Sequence, residues 1–422
     1  MCFKKYCIKI IVELAVRKER EMDTIQRGTK AFNKANWALF LAGFITFANL
    51  YVTQPLLPTF AKEFHVSPAV ASLSLSVTTF ALSISMIIVG SLSEAWGRKS
   101  LMTISIFAAS ILTLALAFSP NFETILVLRV IQGVVFAGLP AIAMAYLGEE
   151  MDPSSLGIAM GLYISGNSVG GLSGRVIIGT LTDLYTWQVG MIVLGVISLM
   201  ISVLFIWMLP NSKHFTARPL QIKALTTSLI QHVKDPSMLC LFGIGFVLMG
   251  SFVTLYNYIG FKLMAPPYNL SATIVGWIFV IYLVGTFSSA WFGSLADQYG
   301  RQKMLLLSIA IMLTGAILTL IGLLSLKIIG ITIFTFGFFA AHSIASGWVS
   351  KRATHDKAQA SSLYLFFYYF GSSVGGTLGG IFWMHYGWGG VIAMITVFLV
   401  VACLLSFLLK GIIAKQRIAA GH

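Results

Sequence analysis

The feature that most constrains this fold is a series of long stretches without a charged side chain. The clearest runs from Pro236 to Phe261 and contains 26 consecutive uncharged, mostly apolar residues. A helix of about 20 apolar residues crosses the hydrocarbon core of a bilayer, where helices satisfy their own backbone hydrogen bonds. Only 10% of the 422 residues are charged, compared with about 25% in a soluble protein. The sequence therefore predicts an all-α integral membrane protein with many spans.

We predict twelve membrane spans, separated by the charged loops. In chain order they run from Ala35 to Ala61, Val66 to Ser93, Ser100 to Phe122, Thr124 to Gly148, Pro153 to Thr182, Leu184 to Leu209, Pro236 to Phe261, Ser271 to Ala296, Met304 to Leu326, Ile328 to Ser350, Ala358 to Met384 and Trp388 to Leu409. The last two share one uncharged interval, which we divide at the sequence HYGWGG because glycine-rich polar stretches mark turns. This predicts two six-helix bundles, over residues 36–209 and 237–410.

The remaining segments are predicted to lie on one side of the membrane. They are an N-terminal segment (1–35), a linker between the bundles (210–236) and a C-terminal tail (411–422). Residues 1–21 are interpreted as a start-site extension upstream of Met22. Of the 28 Lys and Arg residues, 23 fall in these segments and in the loops on the same side, whereas Lys62, Lys262 and Lys327 lie on the other side. Because loops rich in Lys and Arg stay in the cytoplasm, both termini are expected to be cytoplasmic.

The charge and the cysteines exclude several other classes of protein. The net charge of +14 is explained by loops facing the anionic lipid of a plasma membrane, so no nucleic-acid binding is predicted. The four cysteines show no paired spacing, so neither a metal site nor a disulfide framework is predicted. We expect no cofactor and no catalytic site, because no nucleophile, metal cluster or acid pair is evident inside the spans.

Two sequence repeats relate the halves of the chain. GSLSEAWGRKS begins at Gly90 and GSLADQYGRQK at Gly293, an offset of 203 residues, while YISGNSVGG and YYFGSSVGG are offset by 205. Parallel repeats of this kind predict two bundles related by an axis along the membrane normal, with a binding cavity between them near the midplane.

The first pair of repeats carries a loop signature, G-x-L-x-D-x-x-G-R-K. The matching residues are Gly90, Glu94, Gly97, Arg98 and Lys99 in the first copy and Gly293, Asp297, Gly300 and Arg301 in the second. Through this signature the chain resembles the major facilitator superfamily, and within it the 12-helix drug:proton antiporter-like branch. The resemblance implies that Glu94 caps the start of the eleventh span, near Ala358, when the cytoplasmic side is closed. The alternative is that the loops only reflect positive-inside topology.

Glycines in these loops and in the fifth span are expected to allow close packing or tight turns. Gly90 and Gly293 would permit close helix approach, and Gly97 and Gly300 a tight turn. In the fifth span, GNSVGG resembles the antiporter signature G-P-x-x-G-G, with Asn167 in place of proline. We expect this helix to seal against a neighbour across the boundary between the bundles; packing alone is the alternative. The glycines concerned are Gly166, Gly170 and Gly171, with repeat copies Gly371, Gly375 and Gly376.

Two arginines lie inside predicted spans. Arg129 and Gln132 belong to RVIQG, which resembles the family's R-x-x-Q-G motif, and they share one helix face. Arg175 lies in the fifth span. A guanidinium facing lipid at such depth costs several kcal/mol, so both are expected to point into protein or water. For Arg129, proton-linked switching or anion contact and a structural anchor both remain open.

Other polar residues complete the predicted cavity. They are Asn49 and Gln54 on the first span, Tyr256 and Asn257 on the seventh, His342 on the tenth, and Tyr364 and Tyr368 on the eleventh. His342 could carry a proton near neutral pH, or could simply be a helix contact. No acidic residue lies in the middle of any predicted span, which favours a neutral or anionic substrate over a cationic one.

These observations predict a secondary transporter that functions as a monomer. We expect proton-coupled efflux of a small neutral or anionic organic molecule by rocker-switch alternating access, driven by the proton gradient. The alternatives are uptake of an anionic metabolite by proton symport or facilitated diffusion, and a membrane sensor that transports nothing.

Overall fold

The computed structural model describes residues 24–215 and 222–419, and these residues are almost entirely helical. The predicted start-site extension lies outside the described residues. In the described part of the chain the spans, from the first to the tenth, are Lys30–Glu63, Pro68–Trp96, Arg98–Leu116, Phe122–Glu150, Leu156–Leu184, Trp187–Met208, Pro236–Met264, Ala272–Tyr299, Arg301–Leu318 and Leu324–Arg352. One further helical segment, Lys357–Ala419, contains the eleventh and twelfth spans. The linker includes a helix, Ile222–Lys234.

Local sequence explains where the helices begin and break. Ser67, Asn121, Thr186 and Ser271 each accept a hydrogen bond from the backbone N–H three residues later, which caps a helix N-terminus. Gly387 has φ 59° and ψ −148°, so the helix stops inside the predicted HYGWGG turn and the long C-terminal segment divides there. The all-α membrane fold predicted from the sequence is thereby confirmed.

Helix length and hydropathy alone identify fewer spans than the backbone structure shows. Ten helical segments of the described chain are long and apolar enough to cross a membrane, and one of these contains both the eleventh and the twelfth spans. The fifth span, Leu156–Leu184, is not among the ten, and it carries seven glycines and Arg175. Its 29 helical residues are nevertheless enough to cross the bilayer.

Both described ends of the chain lie on one face of the bundle, here called the terminal face. Ile25 N donates to Glu150 O at 2.8 Å, in the loop between the fourth and fifth spans. Arg352, at the end of the tenth span, donates to Gln416 near the C-terminus and to Ser237 Oγ at 3.0 Å. The loops that follow the odd-numbered spans lie on the other side of the bundle, which is here called the opposite face.

The two bundles touch at the opposite face and separate toward the terminal face. At Gly380 in the eleventh span, an added Cβ would lie 2.4 Å from the Cα of Ala69 in the second. An added Cβ at Gly90 or Gly161, near the terminal face, would meet nothing within 4 Å. The close helix approach expected at Gly90 is therefore absent, because the structure is open there. At Gly293 an added Cβ would lie 3.4 Å from Ser343 Oγ of the tenth span, an ordinary van der Waals contact within the same bundle.

The glycines of the fifth span pack on a different neighbour from the one predicted. An added Cβ at Gly166 would lie 2.3 Å from Phe40 O, and one at Gly170 would lie 2.0 Å from Phe44 O, both in the first span. Close packing is thus as expected, but its partner belongs to the same bundle rather than the facing one. Two of the repeat copies behave alike, since Gly371 and Gly375 pack on the seventh span of their own bundle. Gly376 differs, because an added Cβ would lie 2.9 Å from Ser76 of the second span, across the boundary between the bundles.

Candidate functional site

A cavity of about 150 Å³ lies at the boundary between the two bundles. It draws residues from both halves of the chain. Its lining is mostly aromatic and apolar and consists of Phe47, Tyr51, Gln54, Asn167, Ser168, Gly171, Leu172, Arg175, Met249, Phe252, Val253, Tyr282, Leu283, Thr286, Phe338, Phe339 and Tyr368. Ser168, Leu283 and Thr286 are exposed, whereas Arg175 is buried. The cavity is therefore open on its Ser168 and Thr286 side and closed around Arg175.

Arg175 provides the positive charge in this lining. Its Nε donates to Gln54 Oε1 at 2.8 Å and its Nη1 to Gly171 O at 2.6 Å. The guanidinium carbon lies 4.2 Å from the ring centroid of Tyr51, 4.6 Å from that of Phe279 and 5.1 Å from that of Tyr282. Each desolvated cation–π contact is worth about 2 kcal/mol. The side chain is thus held in one position without a carboxylate partner in the described part of the chain.

Irregular turns place the residues that surround Arg175. The first span breaks after Leu50 and resumes through a 3₁₀ turn, Gln54–Leu56, in which Pro55 supplies no backbone N–H. The eighth span has a similar 3₁₀ turn, Ile278–Ile281, directly before Tyr282. These turns bring Tyr51, Gln54 and Tyr282 to the same end of the cavity as Arg175.

Gln54 also joins the two bundles. Its Nε2 donates to Asn257 Oδ1 at 2.9 Å, and the two residues are separated by 203 positions, the same offset as the loop repeats. They occupy equivalent places in the two halves, so this hydrogen bond lies close to the pseudo-twofold axis. One amide side chain therefore connects the charged group of the cavity to the centre of the molecule.

Arg129 belongs to a separate hydrogen-bonded network outside the cavity lining. It is fully buried and donates to Ser74 O at 2.8 Å, Asn49 O at 3.0 Å, Leu50 O at 2.5 Å and Gln132 Oε1 at 2.8 Å. The Asn49 and Leu50 carbonyls lie at the point where the first helix breaks, so Arg129 caps a helix C-terminus. These contacts are those expected of a structural anchor, which was one of the roles that the sequence left open for Arg129.

The predicted cavity residues thus divide into two sets. Gln54, Arg175 and Tyr368 line the cavity, as does Asn167, which was predicted from a packing motif. Asn49, Gln132, Tyr256, Asn257, His342 and Tyr364 do not line it. His342 lies directly behind the lining: its Nδ1 is 2.9 Å from Tyr364 Oη, and its ring centroid is 4.6 Å from that of Tyr368.

Sequence reasoning missed most of the aromatic lining. Tyr51 lies one turn before Gln54, and this spacing was a signal that the two side chains share a face. Tyr282, Phe252 and Phe338 carried no such signal, because aromatic residues in an apolar span face lipid as readily as protein. Their positions depend on the rotation of each helix, which the three-dimensional packing determines.

The repeated loops behave differently in the two bundles. In the first copy Arg98 pairs with Glu149 at 2.7 Å, and Lys99 Nζ donates to Leu209 O at 2.6 Å. In the second, Asp297 pairs with Arg301 at 2.6 Å and Lys351 at 2.9 Å. Gly97 and Gly300 have φ values of 92° and 93°, a left-handed conformation that glycine adopts without strain.

Glu94 is exposed and forms no hydrogen bond or ion pair within the described chain. It lines a small cavity at the terminal face together with Gln359 and Ser362, at the beginning of the eleventh span. The predicted capping contact is therefore absent from this open state, although the acid lies next to the expected helix. The role of Glu94 in closure stays a prediction.

A carboxylate caps a helix of the facing bundle at the opposite face. Asp183, at the end of the fifth span, accepts from Ala272 N at 3.0 Å and from Thr273 N at 2.6 Å. These amides begin the eighth span, where the helix dipole favours negative charge. Asp183 thus stabilises the contact between the two bundles at the closed, opposite face.

Replacing Asp183 with asparagine should weaken this closure, because the amide lacks the charge and offers one acceptor oxygen. Hydrogen bonds to a charged group contribute about 1.5–3 kcal/mol each, so we expect about a tenfold shift toward separation at the opposite face. Distances between spin labels at Tyr185 and Leu323 would report it in a protein without its native cysteines. Asp152→Asn, in a loop at the terminal face, is the matched control; equal distance distributions in Asp183→Asn and the parent would contradict the role.

The bundle of apolar spans, the internal repeat and a cavity at the boundary define a multi-pass membrane transporter of two related halves, not an enzyme. The family model of the Major Facilitator Superfamily matches residues 39–264 and 257–417. The chain belongs to this superfamily, and the resemblance seen in the sequence is confirmed.

Similar proteins agree with this assignment. The chain is 56% identical to the uncharacterized MFS-type transporter YybF of Bacillus subtilis strain 168, covering 91% of this chain and 95% of that protein. It is 46% identical to the inner membrane transport protein YnfM of Escherichia coli K12, covering 90% and 92%. A solved structure of a bacterial homologue of the human lysosomal transporter Spinster, inward-facing and unoccupied, superposes with a TM-score of 0.76 at 15% identity, covering 92% of this chain and 99% of that one. The last comparison supports the fold alone.

Proposed function

We propose that the protein is a proton-coupled exporter of small neutral or anionic organic molecules, with anions preferred. The observation that carries this proposal is Arg175, a buried cation at the closed end of an aromatic cavity, with no carboxylate partner among the residues that the structure describes. A lipophilic cation would meet repulsion from this guanidinium, whereas an anion would complete its coordination. The bundle boundary is the place where ligands bind in transporters built from two repeats.

The proposed orientation places the terminal face in the cytoplasm of a bacterial-type plasma membrane. The support is the charge distribution, since Lys and Arg residues concentrate in the termini and in the loops of that face. In this orientation the cavity is open to the cytoplasm and Asp183 fastens the outer side. Transport would proceed by rocking of the two bundles, with Glu94 capping the eleventh span when the cytoplasmic side closes. The proposed functional unit is the monomer.

Export is favoured over uptake by the glycine pattern of the fifth span, which resembles the signature of antiporters. Gly166 and Gly170 hold this helix against the first span, so Arg175 and Gln54 are kept in register. Everted vesicles test the direction. Accumulation of an anionic substrate that collapses on addition of a protonophore supports proton-coupled export. Accumulation that appears only in right-side-out vesicles would establish uptake instead.

His342 is the proposed proton carrier, because it bonds Tyr364 and stacks on Tyr368 of the cavity lining. His342→Gln keeps a hydrogen-bonding side chain but cannot titrate near neutral pH. We expect the pH dependence of the transport rate to flatten. His385→Gln, at an exposed histidine at the end of the eleventh span, is the control. An unchanged pH profile in His342→Gln would remove this residue from the coupling mechanism.

A further inference from the structure

The cavity restricts the size of the molecule that it accepts. Its volume of about 150 Å³ is at the small end for ligand sites, which commonly reach 300–1,000 Å³. An engineered apolar cavity of the same volume in another protein holds one benzene molecule. The space beside Arg175 therefore has room for a compound with a single six-membered ring.

The walls of the cavity favour a flat, aromatic ring. Seven of the seventeen lining residues are aromatic. Phe252 and Phe338 stack with their centroids 3.8 Å apart, and Phe339 meets Phe252 edge-on at 5.8 Å. The first pair is nearly face-to-face, and the second is the edge-to-face arrangement in which rings attract one another beyond simple burial of area. An aromatic ligand continues this packing, whereas a flexible chain would lose more conformational freedom on binding.

Two polar groups at the closed end lack partners in the described structure. Arg175 uses Nε and Nη1 for Gln54 and Gly171, and its Nη2 makes no hydrogen bond among the described residues. The hydroxyl of Tyr282 is buried and also has no partner, although its ring lies 5.1 Å from the guanidinium carbon. Buried polar groups are normally satisfied, so the unpaired Tyr282 hydroxyl, in the same lining as an Arg175 Nη2 without a hydrogen bond among the described residues, is explained by a missing acceptor.

The charge of that acceptor is limited to one. Arg175 is the one ionised side chain among the lining residues, and it is desolvated by three aromatic rings. A single carboxylate accepts from both Nη2 and the Tyr282 hydroxyl and neutralises the guanidinium. A second negative charge on the ligand would have no partner, and an unpaired buried charge is strongly unfavourable.

We infer that the cavity binds a single-ring aromatic monocarboxylate, with its carboxylate on Arg175 and Tyr282 and its ring among Phe252, Phe338 and Phe339. The biological role of this site rests on the proposed transport function. Binding itself is a property of the folded protein and can be measured without transport. It makes benzoate the simplest probe.

Binding to the purified protein tests the inference with four related probes. We expect benzoate to bind at least tenfold more tightly than benzamide, which lacks the charge, and than phthalate, which carries two charges. Benzylamine, a cation, should not bind. Cyclohexanecarboxylate keeps the charge without the aromatic ring and should bind several-fold more weakly than benzoate. Thermal stabilisation or titration calorimetry measures these affinities; benzamide, phthalate or benzylamine binding as tightly as benzoate would overturn the inference.

Removing one hydroxyl tests the proposed clamp. Tyr282→Phe keeps the ring and should weaken benzoate binding about tenfold. Tyr146→Phe makes the same change at a buried tyrosine outside the cavity lining, whose hydroxyl donates to Pro210 O at 2.9 Å, and should leave the affinity unchanged. Equal benzoate affinity in Tyr282→Phe and Tyr146→Phe would remove Tyr282 from the site.

The inference and the proposed function can fail separately. Vesicles that export other anions in a protonophore-sensitive way, with no benzoate binding, would retain the function and reject the aromatic monocarboxylate. Benzoate binding that depends on Tyr282, with no proton-coupled movement of benzoate in vesicles of either orientation, would retain the site and reject the function.

Discussion

Arg175→Ala is expected to abolish anion transport while the solubilised protein remains folded. Within the described structure the side chain makes two hydrogen bonds, with Gln54 and Gly171, and it also packs against aromatic rings. Loss of a charge-assisted bond to the substrate removes about 3 kcal/mol, so the transport rate at low substrate concentration should fall by about 100-fold. Initial rates in vesicles, with protein amounts matched by quantitative blotting, provide the measurement.

The control for this variant must remove a guanidinium without touching the cavity. Arg27→Ala does so at an exposed position before the first span and should transport at the parental rate. Gel filtration and thermal unfolding then separate the two possible causes of a transport defect. An Arg175→Ala protein that aggregates or unfolds during solubilisation would show that Arg175 stabilises the fold, and the anion-binding role would be rejected.

Arg129→Met is expected to have the opposite effect and to prevent the accumulation of folded protein. Methionine fills part of the volume but leaves the carbonyls of Ser74, Asn49 and Leu50 without their donor, together with the amide of Gln132. Breaking a buried charged network costs about 3–5 kcal/mol, a large share of the roughly 5–15 kcal/mol that stabilises a typical protein. The yield of monodisperse protein and its unfolding temperature report the loss.

The two buried arginines are matched controls for each other, because they lie in neighbouring spans of the same bundle. The structure predicts a stability defect for Arg129 and a transport defect for Arg175. A stable Arg129→Met protein that fails to transport would reverse the assignment. It would support the proton-linked or anion-contact role that the sequence also allowed.

The membrane fold was predictable from the sequence because its physical causes are local. Uncharged stretches define spans, the +203 offset between Gly90 and Gly293 defines a repeat, and the glycine-rich turn at Gly387 divides the last two helices. None of these depends on how the helices rotate about their axes. The helix on which Gly166 and Gly170 pack does depend on this rotation. For that reason the prediction of a neighbour across the bundle boundary was wrong for these two glycines.

The site was predictable only where a residue was chemically conspicuous. Arg175 and Gln54 stood out as polar groups in apolar spans, and both line the cavity. Arg129 stood out for the same reason, yet it caps the broken end of the first helix, because depth in the bilayer does not distinguish a ligand-facing arginine from a structural one. Tyr282 was missed because one tyrosine in an apolar span is inconspicuous until its hydroxyl is found without a partner.

The hydrogen bond between Gln54 and Asn257 also has a meaning for the origin of the molecule. Both positions are equivalent in the two repeats, so in a symmetric dimer of a single six-helix unit this residue would have faced its own copy. A carboxamide suits such a place, since it donates and accepts at once and is complementary to itself. After fusion of the two units each copy could specialise. Gln54 contacts Arg175, whereas the equivalent of Arg175 in the second half, at the 205-residue offset, is Gly380. The first half alone thus contributes the positive charge of the cavity, and at this place the two repeats are not equivalent.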